Sequence, residues 1–206
     1  MSELGPIQSP RRRGDEPFHD DGHQLHFKLL GFWQWSASDL VSNVTRGALA
    51  EYLVAQALGV AEDAVREEWA PYDLTAPDGT RVEVKSAAYL QSWHQDRLSP
   101  ITFRVPKTLA WDKQTNRQSQ ATQRHADVYV FALLGHRDKN TLDPLDVSQW
   151  EFYVVPTRLL DNRKRSQHSI TLASLRKLPG PSVGFSGLRH AVEQAGRTQA
   201  TPARSG

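Results

Sequence analysis

The chain contains no cysteine. A disulfide framework, a zinc–thiolate site and a thiol nucleophile are therefore excluded. It also lacks any run of about 18 apolar residues, the minimum for a membrane-spanning helix. The arginines near the N-terminus have no apolar segment behind them, as a secretory signal would require. Neither a Walker phosphate loop nor a G-x-S-x-G nucleophile elbow is present. What remains is the expectation of a soluble, cytoplasmic protein. At 206 residues it is long enough to bury a proper core as one domain.

Charge is nearly balanced overall, at +2, but unevenly placed. Residues 158–206 hold nine Lys/Arg against Asp161 and Glu193, a balance of +7, so residues 1–157 stand at −5. Within that acidic part, residues 104–124 are locally basic: Arg104, Lys107, Lys113, Arg117 and Arg124 against Asp112. Such patches suit a protein that meets a polyanion on one side, and they suit a solvated surface as well.

Residues 1–22 lack periodicity and read as a disordered tail, and 179–206, rich in Gly, Ser, Pro, Arg and Gln, as a flexible one with room for a short helix at 188–194. The pattern between them, residues 23–178, is mixed α/β. Ser38-Asp39 reads as an N-cap pair before a helix over 44–58, stopped by Gly59. Residues 66–74 and 81–90 read as paired strands joined through Asp78-Gly79, and 101–105 as a third strand. Residues 107–124 read as part helix, part loop. The apolar run 127–134 suits a strand buried on both faces, 150–155 is a further strand, and a helix follows Pro156. The expected architecture is a mixed central sheet flanked by helices.

Chemistry concentrates around Asp73 and the segment Glu83-Val84-Lys85. In a strand, Val82 and Val84 share one face while Glu83 and Lys85 stand together on the other. Asp73 lies where the preceding strand returns beside them. Two carboxylates and an ammonium at one point suit metal-dependent phosphodiester hydrolysis. Magnesium takes hard oxygen ligands, here Asp73, Glu83 and the Val84 carbonyl between the two side chains. Lys85 would orient or help deprotonate a water and offset transition-state charge. The alternative is a plain surface ion pair. Upstream, Glu51 has Gly47, Ala48, Val54 and Ala55 at its i±3 and i±4 positions, a narrow apolar face on which a carboxylate needs a partner or an exit to water.

Glu51, Asp73 and Glu83-Val84-Lys85 together resemble the PD-(D/E)xK signature of the restriction-endonuclease-like superfamily. The similarity spans roughly residues 40–155, with Tyr72 in the place of the motif's proline and Pro71 one step earlier. The resemblance implies an αβββαβ core and a Mg²⁺-dependent DNA endonuclease of restriction, defence or DNA-processing type, with Mn²⁺ able to substitute. It implies Asp73 and Glu83 as metal ligands, Lys85 as the catalytic lysine, Glu51 as an assisting helix acid, and a homodimer if both strands are cut. A catalytically inactive nucleic-acid-binding or interaction module of the same fold is the alternative. Whether the target is DNA or RNA stays open.

Around the site, Ser86 and Gln91 are candidate contacts to phosphate or water. Trp93 reads as a core residue at a strand end, with base stacking as the alternative. Residues 113–124 combine Lys113, Arg117 and Arg124 with Asn and Gln, the side chains that contact phosphates and purine edges, although a polar surface loop has the same composition. His19, His23 and His26 lack a fourth ligand for zinc, and His136-Arg137-Asp138 lacks the glycine-rich loop of a kinase.

Overall fold

The structure is a computed structural model and describes residues 4–62, 64–112, 114–164 and 166–200. The chain opens with strands β1 (Pro17–Asp20) and β2 (His23–Lys28), which pair as an antiparallel hairpin, and then helix α1 (Leu29–Ala37). Asp21 (φ 45°) and Gly22 (φ 79°) make the turn, both in the left-handed region that a tight hairpin demands. Residues 17–22 are thus an ordered hairpin, where composition alone suggested a tail.

Helix α2 (Asn43–Leu58) is capped by Ser42, whose hydroxyl accepts from the Thr45 N–H, and ends at Gly59 in the left-handed conformation (φ 73°). Ser38 instead closes α1, so the N-cap lies four residues later than Ser38-Asp39 suggested. Strand β3 (Leu74–Thr75) is only two residues long, shorter than the strand expected over 66–74. Strand β4 (Arg81–Ala88) follows the Asp78-Gly79 turn, in which the Asp78 carboxylate accepts from the Thr80 N–H.

Strand β5 (Thr102–Arg104) lies outside the central sheet and pairs with a later strand, a departure from the expected third strand. Residues 107–124 contain no helix among the described residues. They form a small hairpin of β6 (Trp111–Asp112) and β7 (Arg117–Gln118). Next come β8 (Val128–Leu134), β9 (Trp150–Pro156), α3 (Thr157–Asp161), β10 (Ser169–Thr171, the partner of β5), α4 (Leu172–Leu175) and α5 (Leu188–Ala200). Among the described residues no helix is long and apolar enough to cross a membrane.

The central sheet has the order β3-β4-β8-β9. Its β4–β8 pair is parallel and the other two pairs are antiparallel. A bidentate ion pair between Arg81 and Asp127 (2.6 and 3.0 Å) pins the start of β4 to the approach to β8 and fixes the register. All seven residues of β8 are buried, because the sheet is covered on both faces. One face packs Val82, Val84, Val130 and Phe152 against Val54 and Leu58 of α2 and Leu188 and Val192 of α5. The other packs Tyr129, Phe131 and Tyr153 against Phe103 of β5, Leu160 of α3 and Ile170 of β10. The short helix allowed for at 188–194 is present, runs on to Ala200 and belongs to the core, where composition read a flexible tail.

Candidate active site

The site is built where β3 leaves β4. The Asp73 N–H still donates to the Val82 carbonyl (3.1 Å), but the chain before it turns away. Successive strand residues point their N–H and C=O groups to opposite edges. Val84 therefore offers both of its groups to the edge that β3 has vacated. The Asp73 carboxylate takes the N–H at 2.7 Å, and the Val84 carbonyl projects from the same edge.

Glu83 and Lys85 stand on the sheet face opposite the valines, as the alternation requires, and form an ion pair. Through the parallel register Glu83 lies beside Tyr129, whose phenol is pushed up by burial first and by the Glu83 charge second. Glu51 arrives from α2. Its side chain is 13% exposed and is gripped by both ends of the Arg66 guanidinium, at 2.5 and 2.9 Å. Arg66 is the partner that the apolar surroundings of Glu51 demanded. At Gly47, one turn earlier, a Cβ would sit 4.0 Å from the Ser86 hydroxyl, an ordinary contact that leaves room for a small side chain.

Two carboxylates thus bear electrostatically on Asp73. Burial, then the charge of Glu83, then that of Glu51 push its carboxyl up to about 7, while the Val84 N–H and Lys85 act in the opposite sense. A half-buried acid with two like charges near it is a place where a cation is favoured. The donors are hard oxygens, which suits magnesium or manganese. Against this, no group of three or more acidic or histidine side chains is at ligating distance among the described residues. Glu83 is closed onto Lys85 and Glu51 onto Arg66.

Asp73, Glu51 and Arg66 line a cleft of about 980 Å³ between α2, the segment before β3 and the β6–β7 hairpin. Glu83 and Lys85 are not in its lining. Of the candidate substrate contacts, Arg117 lines the cleft and is exposed. Ser86 is half-buried on β4. Gln91 and Arg124 correct the expectation. Gln91 is buried, bonded to the Ala88 carbonyl, Ser99 and Arg46. Arg124 has a fully buried side chain that bonds the carbonyls of Val105 and Gln167 and the carboxylate of Asp161. Both are framework residues. Lys113 lies outside the described residues. Trp93, read as a core residue, is more than half exposed.

Sequence reasoning missed Arg66, Tyr129, Trp69 and Trp111. The last two meet edge-to-face in the cleft (6.1 Å between centroids), each from a segment whose neighbours are far away in sequence.

Comparison of the chain with protein-family models places it among endonucleases. The family is that of bacteriophage T4 endonuclease IV, matched over residues 31–174, and the chain belongs to it. The matched span runs from within α1 to within α4 and contains Glu51, Asp73, Glu83 and Lys85. No curated protein sequence matches the chain.

Proposed function

We propose that the protein is a Mg²⁺-dependent DNA endonuclease whose active centre is the Asp73–Glu83–Lys85 edge of the sheet, of restriction-endonuclease-like type. The observation that carries this reading is the half-buried Asp73 carboxylate held on the Val84 N–H beside the Glu83–Lys85 pair, in a chain of an endonuclease family.

Asp73, Glu83 and the Val84 carbonyl would hold the ion. When bound, it would supply a water of lowered pKa and a counter-charge for the phosphate. Lys85, steadied by Glu83, would orient the attacking water toward phosphorus and donate to a phosphoryl oxygen as charge builds there. The water oxygen would bond to phosphorus and release a proton to solvent, the bond to the leaving oxygen would break, and the leaving oxygen would take up a proton from solvent. Glu51, paired with Arg66, would not serve as a ligand. It holds Arg66 at the cleft wall, close enough to Asp73 for their charges to interact.

The test is incubation of pure protein with plasmid and short duplexes in Mg²⁺ or Mn²⁺. Nicking or linearisation that stops in EDTA is expected. A second reading, a non-catalytic nucleic-acid-binding module, is favoured by the closed pairs Glu83–Lys85 and Glu51–Arg66. It predicts salt-sensitive binding without strand scission in any divalent ion.

A further inference from the structure

The cleft beside Asp73 holds an indole with no structural task. Trp69 is 74% exposed, yet it sits on the wall of a concave surface rather than on a convex one. Among the described residues its one ring contact is the edge-to-face approach of Trp111 from the β6–β7 hairpin, at an interplanar angle of 62°. An edge-on neighbour steadies an indole and leaves a face free. Tyr52 of α2, half exposed, lines the same cleft.

The charge of the lining narrows the occupant. Its charged groups are four acids, Glu51, Glu67, Asp73 and Asp112, against Arg66 and Arg117, a lining of net negative charge that disfavours a bare phosphate. Asp112 is engaged with the backbone N–H groups of Gln114 and Thr115 and shapes the hairpin turn. A flat aromatic group without negative charge is a ligand that the exposed Trp69 and Tyr52 rings accept. Next to a site that acts on phosphodiesters, the group of that chemistry is a nucleobase. Its own phosphate would lie at the Asp73 end only with a divalent ion there to offset the acids, and Arg117 at the hairpin would meet a neighbouring one.

Resting on the nuclease reading, we infer that Trp69, braced by Trp111, is a base-stacking subsite that seats one base of the bound strand beside the scissile phosphate. A base–indole stack of this kind is worth roughly 1–3 kcal/mol, which is about fivefold to a hundredfold or more in affinity.

The experiment measures equilibrium binding of a short fluorescein-labelled oligodeoxynucleotide and its duplex, with Ca²⁺ in place of Mg²⁺. Intact strands are compared with strands carrying a single abasic site moved stepwise along them. Trp69→Ala and Trp69→Phe are compared with the unaltered protein. Trp69 is exposed, so neither substitution should affect folding, and a melting curve checks this. The expected result is one abasic position that weakens binding about tenfold. Trp69→Ala should weaken the intact strand by a similar factor and be indifferent to that position, while Trp69→Phe, which keeps a ring, should stay near the unaltered protein. Binding by Trp69→Ala equal to the unaltered protein, or abasic and Trp69→Ala losses that simply multiply, would overturn the subsite and leave the nuclease reading standing. A protein that binds neither strand nor duplex overturns both.

Discussion

The carboxylate of Asp73 accepts the backbone N–H of Val84 at 2.7 Å, across the fork where β3 parts from β4. This bond ties the acid on one arm of the fork to the centre of the Glu83-Val84-Lys85 segment on the other. It holds a carboxylate in a half-enclosed place where two more acids are near. The strand edge and its ionisation behaviour therefore share one cause.

A pH dependence of stability follows. The Asp73 carboxyl is raised from the usual carboxylate range to about 7 in the folded chain. The folded state then binds a proton over a window in which the unfolded state has lost it. By linkage this contribution favours folding at low pH and is lost as pH rises from about 4 to about 7. In EDTA, the difference in melting temperature between Asp73→Asn and the unaltered protein should move in favour of the variant between pH 5 and pH 8. Adding Mn²⁺ should raise the melting temperature of the unaltered protein more at pH 8 than at pH 5. A difference between the two proteins that stays constant over this range would contradict the raised pKa.

The Glu51–Arg66 pair is bidentate but half open to water on the arginine side. Exposed pairs contribute at most about 1 kcal/mol. Glu51→Gln should therefore lower the urea midpoint only slightly, and it should reduce cleavage less than Asp73→Ala does. Loss of folding in this variant would show the pair to be far more buried in effect than its exposure indicates.

Arg117 and Arg124, close in sequence, should behave oppositely. Removing Arg124 leaves two backbone carbonyls and Asp161 without their buried partner, so Arg124→Ala should cost roughly 3–5 kcal/mol of stability. Arg117→Ala should leave the urea midpoint unchanged. It should reduce the slope of log affinity for DNA against log salt by about one unit. Equal effects of the two substitutions on stability would refute the distinction.

Gly196 marks the closest approach of α5 to the β3–β4 turn. A Cβ at this position would lie 2.5 Å from Thr80 Oγ1 and 3.2 Å from its Cγ2. Alanine favours a helix over glycine by about 1 kcal/mol, yet overpacking costs typically about 1–3 kcal/mol. Gly196→Ala should therefore be neutral to destabilising in urea, and Thr80→Ala combined with it should recover more stability than the two single effects add to. Additive effects would mean that the helix simply shifts to make room.

Most of the sheet could be read from side-chain pattern. The alternation of Val82 and Val84 with Glu83 and Lys85, the apolar run of β8 and the glycine stop of α2 are local signals, and the structure shows each of them. The site's neighbours were not legible for reasons of distance. Tyr129 reaches Glu83 only through a parallel pairing of strands separated by some forty residues, and no local pattern encodes that register. Arg66 reaches Glu51 from irregular chain, which has no periodicity to read. Helix α5 did carry a signal, Leu188, Val192 and Ala195 at i, i+4 and i+7. Its first turns were read as a short helix at 188–194, and the abundant Gly, Arg and Gln masked its full length and its place in the core. The Asp21-Gly22 turn was likewise present, but it was absorbed into a polar stretch that looked featureless.

The central claim is that phosphodiester cleavage happens at the fork between β3 and β4. Its most direct test is the initial rate of plasmid nicking in Mg²⁺ by the unaltered protein, Asp73→Ala and Lys85→Ala, with all three shown to be folded. Loss of a ligand or of a positioned catalytic lysine should slow cleavage by about a hundredfold or more. The predicted result is robust nicking by the unaltered protein and at least that loss in both variants. Nicking by both variants at the unaltered rate would contradict the account.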